Sequence, residues 1–170
     1  MPKRMIALSA RTALKLPSIP EINRQLAAGY LDAESRLRIP DLQTMHSKYL
    51  FGIVSTHERE ELVGVLDKLS LTTYCPIEYI VQSPKGKRQS IDYWRKWRDD
   101  FGVAGVPLGA VIDVGAVIDT LVEASDFDHI NKYLWPYESD EVEQIPGSTL
   151  ITSLRDTSEY QESVKGGPNA

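Results

Sequence analysis

The chain lacks the features that mark several large classes of protein. Its 170 residues contain one cysteine, Cys75, which excludes an internal disulfide framework and predicts a reducing compartment. No apolar run approaches the roughly 20 residues that a membrane span requires. The apolar stretch within the basic N-terminus is also too short for a secretory signal. We therefore expect a cytoplasmic protein that does not enter a membrane.

The motifs of familiar catalytic and metal-binding sites are also missing. His57 and Glu61 lie one helical turn apart, but no second histidine completes a zinc-binding HExxH pattern. The stretch Asp126–His129 lacks the spacing and the glycine of a calcium-binding loop. Because no nucleophile, base and orienting group can be assembled from the sequence, it predicts a binding protein rather than an enzyme. We expect no cofactor and no metal.

The composition is that of an ordinary globular protein, with 42% hydrophobic and 25% charged residues, so a buried core is expected. The net charge of −5 is unevenly distributed along the chain. Residues 1–98 hold 16 basic and 10 acidic side chains (+6), whereas residues 99–170 hold 3 basic and 14 acidic (−11). This asymmetry predicts either separate basic and acidic surfaces or mutual neutralisation after folding.

Hydrophobic patterning predicts an α+β protein in three parts. Residues 1–47 are predicted to form a basic arm, with a candidate strand at 5–8, followed by a helix. Residues 48–155 read as an α+β domain, and residues 156–170 as a flexible tail. Within the domain, the order of elements is that of an α+β or split βαβ fold. The predicted strands are 48–54, 71–81 and 106–114, and the predicted helices are 57–69, 90–101 and 116–124.

The segment 85–98 carries the strongest candidate binding surface, because its cations are interleaved with aromatic side chains. The cations are Lys85, Lys87, Arg88, Arg95, Lys96 and Arg98, and the aromatic residues are Tyr93, Trp94 and Trp97. Cations attract phosphates, and aromatic faces stack on unpaired bases, so the pattern predicts nucleic-acid binding. The alternative is an amphipathic helix whose tryptophans face a core and whose cations are solvated.

From residue 48 onward, the chain resembles the N-terminal domain of the NusG family of transcription elongation factors, because several sequence features occur in the same order. These features are the aromatic strand Tyr49–Val54, the charged helix His57–Leu69, the aromatic-X-Pro strand Tyr74–Glu78, the basic loop Lys85–Arg88, the Pro-Leu strand Pro107–Ile112, and the closing residues Pro136 and Glu141–Glu143. The resemblance covers about residues 48–146. It implies a small, mostly antiparallel sheet flanked by helices, with an N-terminal arm and helix as an extension.

The resemblance also implies a function. A domain of this family docks on RNA polymerase near the upstream DNA and suppresses pausing or termination, without breaking a bond. The candidate polymerase contacts are Tyr74, Pro76, Ile77, Trp94 and Trp97, and the cations of segment 85–98 would face nucleic acid. Two alternatives remain open: a structural or adaptor subunit of a viral or multi-protein assembly, and a small enzyme.

Overall fold

The computed structural model of the chain describes residues 3–15, 19–30, 32–56, 58–83, 90–137 and 144–165. Its strands are β1 (Arg4–Ser9), β2 (Leu14–Lys15), β3 (Glu34–Ser35), β4 (Tyr49–Ser55), β5 (Ile80–Gln82), β6 (Leu108–Asp113), β7 (Asn131–Leu134) and β8 (Thr149–Leu150). Its α-helices are α1 (Ala10–Ala13), α2 (Ile19–Ala27), α3 (Ile39–Met45), α4 (Arg59–Lys68), α5 (Ile91–Val103), α6 (Ala116–Val122) and α7 (Ser158–Lys165).

Six of the strands form one sheet in the order β5-β4-β1-β6-β7-β8, and every neighbouring pair in it is parallel. β2 and β3 pair only with each other, as a short antiparallel ribbon. Numbered within the large sheet alone, the strand order is 3-2-1-4-5-6, the doubly wound arrangement of α/β proteins. The prediction of an α+β fold with a small, mostly antiparallel sheet is therefore wrong.

The error began with β1, which the sequence predicted as part of an arm outside the domain. β1 is instead a central strand that pairs with β4 on one side and with β6 on the other, so the predicted N-terminal extension is also wrong. Five of its six residues are buried, in the unbroken apolar run typical of a parallel strand that is covered on both faces. A run this short, beside the cations Lys3 and Arg4, gave no local sign of its central position.

Helices cover both faces of the sheet and divide the core into two clusters. On the first face, α2, α3 and α4 contribute Ile22, Leu42, Met45, Leu62, Val65 and Leu66 to one cluster. On the second face, α5 and α6 contribute Trp94, Trp97, Phe101, Val117, Ile118 and Leu121 to the other. Parallel strands require such crossover helices, and right-handed crossovers place them on opposite faces once the direction of winding reverses.

Close packing between β1 and β4 depends on Gly52. A Cβ atom placed on this residue would lie 2.8 Å from the Met5 sulfur and 3.4 Å from the Phe101 ring. Both neighbours are buried, so a larger residue would force the second core cluster to rearrange. The absence of a side chain at Gly52 thus allows β1, β4 and α5 to approach one another.

Several predicted elements are confirmed, and two segments differ. β4, β6, α4, α5 and α6 fall where the periodicity predicts them. The predicted strand 71–81 is a β-strand only from Ile80, where β5 begins, because turns and a short 3₁₀ helix at Ile77–Tyr79 occupy the stretch around Pro76. Within the predicted tail, residues 158–165 form α7. None of the helices in the described parts of the chain combines the length and hydropathy needed to span a bilayer.

Candidate functional site

The winding direction of the sheet reverses between β1 and β6. β4 and β5 follow β1 toward one edge of the sheet, after which the chain crosses over to β6 and continues toward the other edge. At such a switch point, the loops that follow two neighbouring strands run in opposite directions and leave a crevice outside the carboxyl ends of the strands, where α/β proteins bind ligands. Here the strands that flank the crevice end at Ser9 and Asp113.

A buried polar network joins the two strands at this point. The Asp113 Oδ1 atom accepts hydrogen bonds from the Ser9 hydroxyl at 2.6 Å and from the Thr12 hydroxyl at 2.9 Å. These two hydroxyl oxygens lie 2.7 Å apart, and the Ser9 oxygen also accepts from the Thr12 backbone N–H. The three residues are at most 2% exposed. The network thus fixes the turn after β1 against the end of β6.

The same carboxylate and hydroxyl also fix the turn that follows β6. The Thr12 hydroxyl accepts a hydrogen bond from the Val114 N–H at 3.1 Å, and the Asp113 Oδ2 atom accepts one from the Gly115 N–H at 3.3 Å. The turn is held in part by Thr12, a side chain of α1, so its geometry does not depend on the turn alone. The two turns at the switch point are therefore one connected unit.

Buried polar residues concentrate along this edge of the sheet. Of the eleven buried polar or charged residues in the described parts of the chain, five lie at the carboxyl ends of four adjacent strands. They are Ser9 and Thr12 after β1, Ser55 at the end of β4, Ser83 after β5, and Asp113 at the end of β6. Burying polar groups is unfavourable unless they are hydrogen-bonded, so this concentration distinguishes the carboxyl edge from the apolar interior of the strands.

The network is covered, but the turn above it is accessible. Val114 and Gly115 are partly exposed, and a Cβ atom placed on Gly115 would meet no atom within 4 Å. Arg11, next to Thr12 in α1, is exposed and makes no ion pair with any described residue. The rim of the crevice therefore offers open space beside the Gly115 backbone and a cation on the neighbouring turn.

The side chains of Arg36 and Tyr137 hydrogen-bond to backbone carbonyls in and beside α1. The Arg36 guanidinium donates to the backbone carbonyls of Thr12 and Trp135, and the Tyr137 hydroxyl donates to the carbonyls of Arg11 and Leu14. A four-residue helix leaves its carbonyls without partners inside the helix, so these donors satisfy them from outside. The end of α1 is thus attached to residues beyond β7.

The structure describes three of the six predicted nucleic-acid-binding cations, namely Arg95, Lys96 and Arg98. Lys85, Lys87 and Arg88 lie outside the described residues. Arg95 holds Asp126 through two hydrogen bonds, of 2.9 and 3.1 Å, and Arg98 holds the same carboxylate at 2.9 Å. Lys96 is exposed.

Two groups in this cluster, Asp126 and Arg95, have shifted pKa values. The bonds from Arg95 and then Arg98 hold the pKa of the Asp126 carboxyl well below its ordinary value, and the bond to Asp126 raises the pKa of Arg95. The Asp126 carboxylate therefore stays ionised. It is hydrogen-bonded to Arg95 and Arg98, two guanidinium groups that the sequence predicts to face phosphates. Whether Lys96 and its neighbours bind nucleic acid stays a prediction.

The predicted polymerase contacts fall into two groups. Ile77 is exposed, and Tyr74 and Pro76 are partly exposed, so these three residues lie at the surface as a contact would require. Trp94 and Trp97 are 1% and 3% exposed and pack edge-to-face in the second core cluster, with their ring centroids 5.2 Å apart. The amphipathic-core alternative thus describes the two tryptophans, and their rings present almost no surface to a partner. The role in transcription stays a prediction.

No cluster of three or more His, Cys, Asp or Glu side chains suited to a metal occurs among the described residues. Burial raises the pKa of the Cys75 thiol to about 12, which keeps it protonated and weakly nucleophilic at neutral pH.

Sequence reasoning missed the polar network, although a signal was present. Ser9 follows the apolar run Met5–Leu8, and Asp113 ends the apolar run of β6. A polar residue directly after an apolar strand marks the carboxyl edge only when neighbouring strands are parallel, and the predicted sheet was mostly antiparallel. Comparison of the chain with models of protein families, with characterised proteins and with solved structures finds no match.

Proposed function

We propose that the chain binds a small anionic ligand in the crevice at the switch point, over the turn Val114–Gly115. The observation that supports this most strongly is the buried network of Ser9, Thr12 and Asp113, which braces the two turns beneath an open rim. Doubly wound proteins bind their ligands at this point of the sheet. The ligand contacts the rim, and the network below holds the rim in place.

The charge on the rim favours an oxyanion. Arg11 is an exposed guanidinium on the turn after β1, and a guanidinium fork matches both carboxylate and phosphate groups. The expected ligand is therefore a phosphomonoester or a small carboxylate.

The turn after β1 argues against a dinucleotide. Dinucleotide-binding folds place glycines in this turn, so that the backbone can approach the pyrophosphate closely. Here the turn reads Ser9-Ala10-Arg11-Thr12, with no glycine, and α1 is only four residues long. The pyrophosphate of NAD would meet side chains where such folds present backbone, so we expect NAD to bind poorly.

Thermal denaturation with a panel of probes tests this proposal. The probes are inorganic phosphate, ribose 5-phosphate, AMP and citrate, with adenosine as the uncharged comparison and NAD as the dinucleotide. A ligand present at 100 times its Kd stabilises the folded state by about 2.7 kcal/mol. For a domain of this size, that raises Tm by roughly 5–11 °C. We expect such a shift with at least one oxyanion probe and none with adenosine.

Two variants locate the binding. Gly115→Leu fills the open space at the rim, whereas Gly102→Leu adds the same side chain to α5, where a Cβ atom also meets nothing within 4 Å. We expect Gly115→Leu to abolish the shift in Tm and Gly102→Leu to retain it. Arg11→Gln should weaken binding at least tenfold without changing the Tm of the free protein. The proposal fails if no oxyanion probe raises Tm at 10 mM, or if Gly115→Leu binds as the wild type does.

A further inference from the structure

We infer that Arg36 is a positioning residue for the switch-point crevice, which it shapes by clamping α1 to the chain that follows β7. This inference rests on the proposed function. Arg36 follows β3, in the segment that runs across the carboxyl edge between the β2–β3 ribbon and α3. One guanidinium there connects three stretches of chain that are distant in sequence.

Hydrogen bonds from Arg36 to backbone carbonyls form the clamp. Arg36 Nη1 donates to the Thr12 carbonyl at 3.2 Å and to the Trp135 carbonyl at 2.9 Å. Its Nη2 donates to the Pro136 carbonyl at 2.8 Å. The Arg36 backbone N–H also donates to the Ala13 carbonyl at 2.8 Å. The planar fork of arginine holds several acceptors in a fixed relation, which the single ammonium of lysine does not.

Aromatic rings hold the guanidinium in this orientation. Its central carbon lies 4.0 Å from the ring centroid of Trp135 and 4.4 Å from that of Tyr137. Cation–π contacts at such distances favour the charged side chain. The Tyr137 hydroxyl reaches back to the carbonyls of Arg11 and Leu14, so the same clamp holds α1 at a second place.

Two of the residues whose carbonyls Arg36 binds, Thr12 and Trp135, also donate hydrogen bonds to Asp113. Thr12, whose carbonyl Arg36 binds, donates its hydroxyl to the Asp113 carboxylate. Trp135, whose carbonyl Arg36 also binds, donates its backbone N–H to the Asp113 carbonyl at 2.9 Å. Arg36 therefore sets the distance between α1 and β7 around Asp113, and with it the position of Arg11 relative to Gly115. It acts through these residues and contacts no ligand itself.

The variant Arg36→Lys keeps the charge and loses the fork. We expect it to weaken binding of the best oxyanion probe at least tenfold, measured by calorimetric titration. In hydrogen exchange without ligand, we expect faster exchange of the Thr12, Val114 and Gly115 amides and unchanged exchange of the Ile53 amide in β4. The matched control is Arg155→Lys, since Arg155 binds the Asp41 carboxylate at 3.0 Å near α7 and should affect neither measurement.

The outcomes separate this inference from the proposed function. If no probe binds the wild type, the proposed function fails, and the exchange pattern still decides whether Arg36 orders the two turns. Wild-type affinity together with wild-type exchange in Arg36→Lys overturns the inference. Equal acceleration at Ile53 also overturns it, because Arg36 then acts on stability in general. Tyr137→Phe, which removes the hydroxyl but keeps the ring, should give a smaller change in the same amides.

Discussion

Removing the Asp113 carboxylate is the sharpest structural perturbation available at the switch point. In Asp113→Ala, the Ser9 and Thr12 hydroxyls and the Gly115 N–H lose their common acceptor. The two hydroxyls lie 2.7 Å apart, so one can still donate to the other. One buried hydroxyl is then left without a partner, whereas the Gly115 N–H lies on a partly exposed turn and exchanges the carboxylate for water.

The expected loss follows from these two groups. A buried polar group without a partner costs about 1–3 kcal/mol, and an ordinary hydrogen bond lost to water costs about 0.5–1.5 kcal/mol, so the free energy of unfolding should fall by roughly 1.5–4.5 kcal/mol. Ser9→Ala alone should cost about 1–2 kcal/mol, because it removes one hydrogen bond and the N-terminal cap of α1. Both single variants lose the hydrogen bond between Ser9 and Asp113, and the double variant loses it only once, so the double variant should cost about 1–3 kcal/mol less than the sum of the single variants.

Urea unfolding measures these differences, provided that the slope m is unchanged among the variants. Asp99→Ala is the control: this exposed acid pairs with Arg98 on the surface, and its removal should cost no more than about 1 kcal/mol. A loss below 1 kcal/mol in Asp113→Ala, or additive losses in the cycle, would refute the description of the network as one coupled unit.

Three further predictions concern the core and the second face of the sheet. Trp97→Ala should lower the free energy of unfolding by about 3–5 kcal/mol in urea titration, since the ring is buried; a loss under 1 kcal/mol would contradict its place in the core. Gly52→Ala should cost about 1–3 kcal/mol, because the new methyl group meets Met5, and unchanged stability would show that the strands have room to separate. Burial lowers the pKa of Lys132 from its ordinary value of 10.5. The unfolded chain therefore binds more protons between the two pKa values, so wild-type stability should rise with pH toward 10.5 relative to Lys132→Met. A constant difference between the two proteins across that range would contradict this.

The sequence predicts elements better than it predicts their arrangement, and the reasons are physical. Periodicity identified β4, α4, α5 and β6, because each presents a continuous apolar face or run. Strand direction was wrong, since parallel pairing depends on crossovers rather than on residues within a strand. β1 was missed as a central strand, because six residues between cations and a polar turn resemble an arm when its neighbours are unknown.

The candidate sites show the same limit. The cations of segment 85–98 are visible in the sequence, but Asp126, the carboxylate that occupies Arg95 and Arg98, lies about one helix and one strand further along. The hydrogen bond between Ser9 and Asp113 joins residues 104 positions apart. Only the parallel order β1–β6 brings them together, so a sequence that predicts the wrong sheet cannot reveal the network.

The most direct test of the central claim is a map of where an oxyanion binds. Amide chemical shifts of the ¹⁵N-labelled chain would be followed during titration with the probe that raises Tm most. We expect the largest changes at the carboxyl ends of β1 and β6, on Arg11, Thr12, Val114 and Gly115. Changes centred on the opposite end of the sheet, around Arg4 and Tyr49, would contradict this.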